Sequence, residues 1–379
     1  MRVLIVHPRM DVYGGAEVLI VRLANYLSLN DIETALLTTN LSAAIEKDLI
    51  GTHVFSCPYT RFHDFRAPLN LFRLIWVLNN GIRKHLNDFD VINVHNYPAE
   101  LSAFPFQKPV VWMCNEPPEV HVEFDAERQV TIRRLVIGAI LDLEKRLVRK
   151  HVTDVVVADR FNAERFNELY GISPHIINYG VDYRYFAAHR EENRGRHDPR
   201  HFTVLHVGML TPHKGQIQSL RAIDALRNRI PDIRLILAGY GEGEYRLALN
   251  EFIRKRNLES IIRFEGHVDR ARIRELYHTS DVLLHPIGPQ GGWLAPFEAI
   301  AAKLPVIVSK EMTASDLIQR ENLGVMTDNF VDALLDIYKT RSKCDDRAVQ
   351  RAEWVRDHLS WDNFCEKMLH IFSRAADDG

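Results

Sequence analysis

A chain of 379 residues exceeds what one ordinary hydrophobic core organises, so two domains of roughly 150 to 200 residues are expected. Hydrophobic residues make up 46% and charged residues 26%, the balance of a soluble globular protein, and a net charge of −2 argues against bulk binding to nucleic acid. Cys57, Cys114, Cys344 and Cys365 lack the short paired spacing of zinc or redox sites and read as reduced thiols in a cytoplasmic protein.

The N-terminus runs straight into the strand-like segment RVLIVH (2–7), without a long apolar leader. Gly14 and Gly15 follow, and then Leu19, Leu23, Tyr26 and Leu27 repeat at helical spacing. TALLTT (34–39), DVINVH (90–95), PVVWMC (109–114) and DVVVA (154–158) predict further parallel strands buried on both faces. LNLFRLIWVLNNGIRKHLN (69–87) and TIRRLVIGAILDLEKRLVRKH (131–151) mix apolar residues with Arg and Lys. That mixture suits a helix lying on an anionic headgroup layer, and equally a core helix with a basic outer face. No apolar run is long enough to span a bilayer, so membrane contact is expected only as a peripheral one. AAHREENRGRHDPR (187–200) predicts a linker. A second series follows: FTVLHVG (202–208), IRLILAG (233–239), IIRFEG (261–266), DVLLHP (281–286) and PVIVS (305–309). Two such series predict an α/β protein with two doubly wound sheets, and a ligand cleft at the carboxyl ends of their strands and between the domains.

The segment LLHPIGPQGGWLAPFEAIAAKLPVIVS (283–309) reads as a buried strand, a glycine-rich turn, a helix start and another strand. Gly291 and Gly292 let the backbone approach a ligand closely, and the helix that follows aims its unpaired N–H groups at an anion. Glu298 falls within that helix. A diphosphate repels a carboxylate, so ribose hydroxyls are its expected partners, and a nucleotide diphosphate is the implied ligand. A tight turn with an ordinary surface glutamate is the alternative. Gly14 and Gly15 have the same two readings: amides that approach a donor's phosphates or the reacting sugar, or a plain turn.

Seven motifs in order resemble glycosyltransferase family 4, the large retaining group with the GT-B architecture. They are GGAE (14–17), DVINVH (90–95), INYGVDYRYF (177–186), HVGMLTPHKG (206–215), LAGYGEGE (237–244), FEGHV (264–268) and QGGWLAPFEAIAAKLPVI (290–307). The resemblance covers nearly the whole chain and implies two Rossmann-like doubly wound domains facing each other across a cleft. Residues 1–185 would form an acceptor-binding domain and residues 186–354 the nucleotide-sugar-binding domain. Like the last helices of that fold, 354–372 would cross back, with a C-terminal helix at 355–379 packing on the first domain.

The resemblance also implies roles. Gly14, Gly15, Gly208, Lys214, Gly291, Gly292, Trp293, Leu294 and Glu298 fall at donor-binding positions, with the Lys214 ammonium against the diphosphate. A cation there stabilises the charge that grows on the departing nucleotide diphosphate. His267 and Val268 stand where the family lines its base pocket, often through backbone groups. His95 matches a family histidine at the cleft-facing end of a strand, with a core histidine as the competing reading. Gly239 and Gly241 read as structural. Asn178, Gly180 and Asp182 read either as a shaped turn between the domains or as ligand contacts.

Three positions depart from the family pattern. Met209 replaces an arginine, which removes a bidentate donor to the diphosphate, and His213 is the nearest substitute. Gln290 replaces the first of two glutamates, keeping an acceptor but losing charge. In WMCNEPPEV (112–120), which resembles a segment of mannosyltransferase-like members, Asn115 replaces a histidine; it bonds a hydroxyl but shuttles no proton. Glu116 or Glu119 would then position the acceptor.

Lys214, Gln290, Asn115 and His95 are accordingly the catalytic candidates. The implied reaction is a front-face transfer in which the leaving phosphate oxygen takes the acceptor's proton, with no cofactor and no metal. The resulting expectation is a cytoplasmic retaining glycosyltransferase at the inner face of the membrane. It would move a hexose, from GDP-mannose in preference to a UDP-sugar, to a glycan or lipid-linked glycan, and would not bind nucleic acid. The alternative is a glycosyltransferase-like nucleotide- or glycan-binding protein with little turnover, serving as an assembly or regulatory subunit. A sugar-hydrolysing enzyme lacks a water-activating pair of carboxylates.

Overall fold

In β1 (Arg2–Val6), Val3 and Ile5 enter one hydrophobic core while Leu4 and Val6 enter another, and all four side chains are fully buried. Successive strand residues point to opposite faces, so an uninterrupted apolar run has to lie between two layers of helix. The computed structural model in which this is seen describes residues 1–11, 13–57, 68–118, 132–188, 200–289, 293–341 and 346–378. Two compact units result: Met1–Gly180 together with Trp361–Gly379, and Val181–Ser360.

In the first unit, β2 (Glu33–Thr38), β3 (His53–Ser56), β4 (Val91–His95), β5 (Val110–Met113), β6 (Asp154–Val157) and β7 (His175–Ile176) join β1 in a parallel sheet ordered β3-β2-β1-β4-β5-β6-β7. Val6 pairs with Leu37 on one side and Val94 on the other, so the order reverses direction between β1 and β4. The helices are α1 (Gly15–Leu29), α2 (Ala43–Asp48), α3 (Pro68–His85), α4 (Ala99–Ser102), α5 (Ile132–His151) and α6 (Arg160–Tyr170). On α1 the expected face is buried at Leu19, Leu23 and Leu27, with Tyr26 partly buried. Asp159 caps α6 by accepting from the Asn162 amide at 2.8 Å, and Gly171 ends it at φ 66°, where a side chain is disfavoured. Leu74, Leu78 and Ile82 of α3, Val148 of α5 and Phe166 of α6 share the core that holds Leu4 and Val6.

The second unit contains α7 (Tyr183–Ala187), β8 (Phe202–Val207), α8 (Gln216–Leu226), β9 (Ile233–Ala238), α9 (Glu244–Lys255), β10 (Ile262–Gly266), α10 (Arg270–Thr279) and β11 (Val282–His285). It continues through α11 (Leu294–Ala301), β12 (Val306–Val308), α12 (Ser315–Arg320), β13 (Val325–Met326), α13 (Phe330–Thr340) and α14 (Asp346–His358). Its sheet is parallel and ordered β10-β9-β8-β11-β12-β13, reversing between β8 and β11. Ile233, Leu235 and Leu237 alternate into a core with α8, α9 and α13, while Arg234 faces out.

The chain returns to the first unit through α15 (Trp361–Asp378), whose Phe364, Met368, Ile371 and Ala375 pack with α1, β4 and β5. The C-terminal stretch from 355 is therefore divided. The Leu359 carbonyl accepts a hydrogen bond from Val181 N at 2.7 Å, which closes the second unit before α15 begins. A Cβ on Gly180 would come within 2.5 Å of the Trp361 backbone, so this approach requires glycine. Of the expected linker, residues 189–199 lie outside the described residues.

Candidate functional site

In the second unit, loops from four strand ends are held together by backbone approaches that only glycine allows. A Cβ on Gly239, after β9, would lie 1.9 Å from the Gly208 carbonyl oxygen, and one on Gly241 would lie 2.6 Å from that of Leu210. Both glycines therefore serve close packing. The Gly239 amide donates to the Gly266 carbonyl at the end of β10 (2.9 Å). The tight turn Pro212–Lys214 ends at Gly215, which adopts φ 71° and would place a Cβ 1.9 Å from the Pro286 carbonyl oxygen beyond β11. Gly288 N donates to the His213 carbonyl at 2.8 Å, tying the same two loops again.

This frame positions Lys214. Its Cγ and Cδ pass 3.6 Å from where a Gly208 side chain would begin, so the lysine stem runs across bare backbone. Beneath it, His206 is buried and meets Ser219 Oγ at 2.9 Å; burial and the Lys214 charge push its pKa down to about 3, so it is neutral. Gln216, fully buried, donates to the Met209 carbonyl at 2.8 Å and holds the turn after β8 from below. Met209 itself points outward with its side chain 62% exposed, so no guanidinium stands at this position. His213 Nε2 lies 3.3 Å from Thr211 Oγ1.

Glu298 sits on α11, half-buried, with Oε2 accepting from Tyr277 OH of α10 at 3.0 Å. Burial pushes its carboxyl up, opposed by that hydrogen bond and by the Arg270 charge. Arg270 pairs with Asp182 at 3.2 Å and lies over the Tyr185 ring at 4.5 Å, which gives Asp182 a structural partner. Trp293 is buried against Phe297, with ring centroids 4.4 Å apart, and Leu294 is half-buried. His267 is exposed and Val268 half-buried after the turn at Gly266. Gln290, Gly291 and Gly292 lie outside the described residues, as does Glu119.

In the first unit the corresponding reversal, between β1 and β4, gathers Gly14, Gly15, His7 and His95. Gly14 N donates to Glu17 Oε2 at 3.0 Å in a capping box, and Gly15 opens α1; both glycines are exposed. Glu17 Oε1 lies 3.3 Å from Nε2 of the buried His7, so one carboxylate joins the glycine loop to the end of β1. His95 ends β4 and is fully buried, edge-on to His7 with centroids 6.5 Å apart. Asn93 Nδ2 donates to the Val111 carbonyl, so its Oδ1 accepts from His95 Nε2 at 2.6 Å. Burial, then His7, holds the His95 pKa well below its ordinary value. The fully buried imidazole is therefore neutral, and its Nδ1 has no hydrogen-bond partner among the described residues. Asn115, just past β5, donates to Asn96 Oδ1 and accepts from Tyr179 OH at 2.6 Å. Both ends of its amide are thus engaged. Asn178 donates to the Ala158 carbonyl at 2.7 Å, a structural bond. Glu116 is half-buried beside Asn115.

The sequence reading missed Gln216, Tyr277, His7 and Tyr179. Gln216 follows Lys214–Gly215 directly and Tyr179 lies inside INYG, so local position offered a signal for those two. Tyr277 meets Glu298 only through the tertiary fold. Among the described residues no group of three or more His, Cys, Asp or Glu has metal-binding geometry.

Two family models match consecutive parts of the chain: Glycosyltransferase Family 4 over residues 13–185 and Glycosyl transferases group 1 over residues 189–351. The chain is 27% identical over 215 residues to a Mycobacterium tuberculosis GDP-mannose-dependent alpha-(1-6)-phosphatidylinositol dimannoside mannosyltransferase, covering 53% of this chain and 54% of the relative. It is 25% identical over 235 residues to the monomannoside mannosyltransferase of the same species, covering 57% and 60%. The chain thus spans about half the length of the curated relatives it matches. Anabaena HepE, solved with UDP-glucose, superposes with a TM-score of 0.75 at 18% identity over 99% of this chain and 100% of that one, a likeness of fold. Both units are Rossmann-like, their strands and loops carry the matched motifs in order, and the chain belongs to glycosyltransferase family 4, with a fold of the GT-B type.

Proposed function

We propose that this protein is a glycosyltransferase that moves mannose from GDP-mannose, with retention of configuration and without a metal, to a glycan or lipid-linked glycan. The observation that carries this reading is Lys214, laid across Gly208 at the strand reversal of the second unit, with Glu298 on a helix of the same unit. Lys214 would stabilise the departing diphosphate and Glu298 would accept from the ribose. The bond between the anomeric carbon and the diphosphate oxygen breaks, a bond from the acceptor oxygen to that carbon forms on the same face, and the acceptor's proton passes to the leaving phosphate. The Gly14 and Gly15 amides would meet the donor, and Asn115, held by Tyr179 and Asn96, would orient a sugar hydroxyl.

The relatives named as GDP-mannose-dependent phosphatidylinositol mannoside mannosyltransferases support the choice of donor and a lipid-borne acceptor. Such an acceptor would bring the enzyme to the cytoplasmic membrane face. No helix among the described residues is long and apolar enough to cross a membrane. A thermal-shift screen against GDP-mannose, UDP-glucose and ADP-glucose, followed by mass spectrometry of the products, tests the reading. Stabilisation by GDP-mannose and a mannosylated product are expected; a response to UDP-sugars alone overturns the donor, and no response to any of them overturns the function.

A low-turnover binding protein is the second reading, favoured by Met209, whose exposed thioether offers the diphosphate no donor. Met209→Arg separates the two. A large gain in turnover supports the impaired site, and unchanged turnover supports an active enzyme that uses other donors.

A further inference from the structure

The turn that follows β12 carries Glu311, and hydrogen bonds on both sides fix where that residue starts. Ser309 N donates to the His285 carbonyl at 3.3 Å, Ser309 Oγ donates to the Ile287 carbonyl, and Ser315 Oγ at the start of α12 donates to the Lys310 carbonyl at 2.9 Å. The next residue, Met312, is buried, so the turn is pinned from below while Glu311 itself is exposed. Lys310 turns toward the end of β13, its amide donating to Asp328 Oδ1 at 3.2 Å and its ammonium lying 3.8 Å from Oδ2. Glu311 reaches the other way. Its Oε2 comes 3.9 Å from where a Gly288 side chain would begin, and the His213 carbonyl oxygen lies 3.5 Å from the same point. The carboxylate thus faces bare backbone beside the residue that precedes Lys214, where Gly288 N and the His213 carbonyl tie two loops together. Among the described residues no hydrogen bond or ion pair engages it.

We propose that Glu311 is a specificity-determining residue of the donor site, accepting hydrogen bonds from hydroxyls of the hexose being transferred. Lys214 would hold the diphosphate close by, and that group repels a carboxylate, so the part of the donor left for Glu311 is the hydroxylated ring. Two neighbouring hydroxyls suit the two oxygens of one carboxylate, and a charged acceptor makes each bond stronger than a neutral one does. A solvated surface glutamate would lose side-chain and loop freedom on binding; the turn under Glu311 is already ordered, which lowers that cost. The chain has glutamine at 290, two residues past Gly288, so the negative charge beside this loop comes from Glu311 instead. The inference rests on the transferase reading above and names the residue that would select its sugar.

The test is calorimetry of wild type, Glu311→Gln and Glu311→Ala with GDP, with GDP-mannose and with GDP-mannose analogues that each lack one hydroxyl of the mannose. Wild type binds GDP-mannose more tightly than GDP, and at least one analogue binds roughly tenfold or more weakly than GDP-mannose. Glu311→Ala binds GDP as wild type does and binds GDP-mannose roughly tenfold or more weakly, and the analogue that wild type rejects loses nothing further, because the acceptor for that hydroxyl is gone. Glu311→Gln, which keeps an acceptor without the charge, falls between the two. Equal weakening of GDP and GDP-mannose overturns the inference, since a merely structural role would weaken both. So does an alanine variant that rejects every analogue as wild type does, or a wild type that binds GDP and GDP-mannose equally. GDP-mannose binding that is the same in wild type and Glu311→Ala removes Glu311 alone, whereas a wild type that binds neither ligand overturns the GDP-mannose reading and this inference with it.

Discussion

Tyr277→Phe removes one oxygen and tests the electrostatics of the Glu298 site. The lost hydroxyl donates to Glu298 Oε2 at 3.0 Å, and burial already pushes that carboxyl above its ordinary value of 4.5. A hydrogen bond to a charged group contributes ~1.5–3 kcal/mol and a neutral one about 1. The sign follows from the direction of the shift. A carboxyl with a raised native pKa binds its proton more tightly when folded, so its unfavourable contribution is absent below the unfolded value and appears as pH rises through the native one. Removing the donor raises the native pKa further and enlarges that cost. The variant therefore loses about 2 kcal/mol at pH 7.5, or roughly 4–8 °C in the melting of a unit this size, and only about half as much near pH 4. Thermal melts of both proteins across that range read the difference, and calorimetry with GDP is expected to show weaker binding by the variant at pH 7.5. A destabilisation that does not vary with pH, or grows in acid, would refute the assignment of Tyr277 as a donor that favours the ionised form of Glu298.

Lys214→Ala is expected to lower kcat/KM for transfer by roughly 10²–10³-fold with the melting temperature little changed; a variant of near-normal kcat/KM removes Lys214 from the mechanism. Gly239→Ala sets a methyl 1.9 Å from the Gly208 carbonyl oxygen, and calorimetric melting is expected to report a loss of more than ~3 kcal/mol; a melt within 2 °C of wild type, a difference of about 1 kcal/mol or less, contradicts the close approach. Glu17→Ala breaks the capping box and the contact with His7, costing about 1 kcal/mol of stability. If the glycine loop meets the donor, the same variant raises KM for the sugar nucleotide beyond what Glu17→Gln does, and equal KM values confine Glu17 to capping.

The ten expected strands all form, most of them as apolar runs whose two faces both have to be covered, whereas β9 and β10 turn Arg234 and Arg263 to solvent. The structure adds β3, β7 and β13, which are absent from the sequence reading. β3 ends its sheet and is largely open to solvent, while β7 and β13 are two residues long and end their sheets, so none carries a buried apolar run. Lys214 and Glu298 were legible as candidates because both sit in contiguous motifs. His95 was legible as a strand end, with a core histidine only as the competing reading, since burial depends on helices far away in sequence.

By itself the sequence determined the two βα series, the family, and the identities of Lys214, Glu298 and the glycines at strand ends. Those properties are written in local periodicity and in residue types that the backbone demands. Tertiary structure decided the strand order that reverses between β1 and β4 and between β8 and β11, the partner that Tyr277 gives Glu298, and the engagement of Asn115 by Tyr179. It also decided which side of α3 faces the core, leaving Phe72 and Trp76 outside. Each of these joins residues distant in the chain, and hydrogen bonding and burial act through space rather than along sequence.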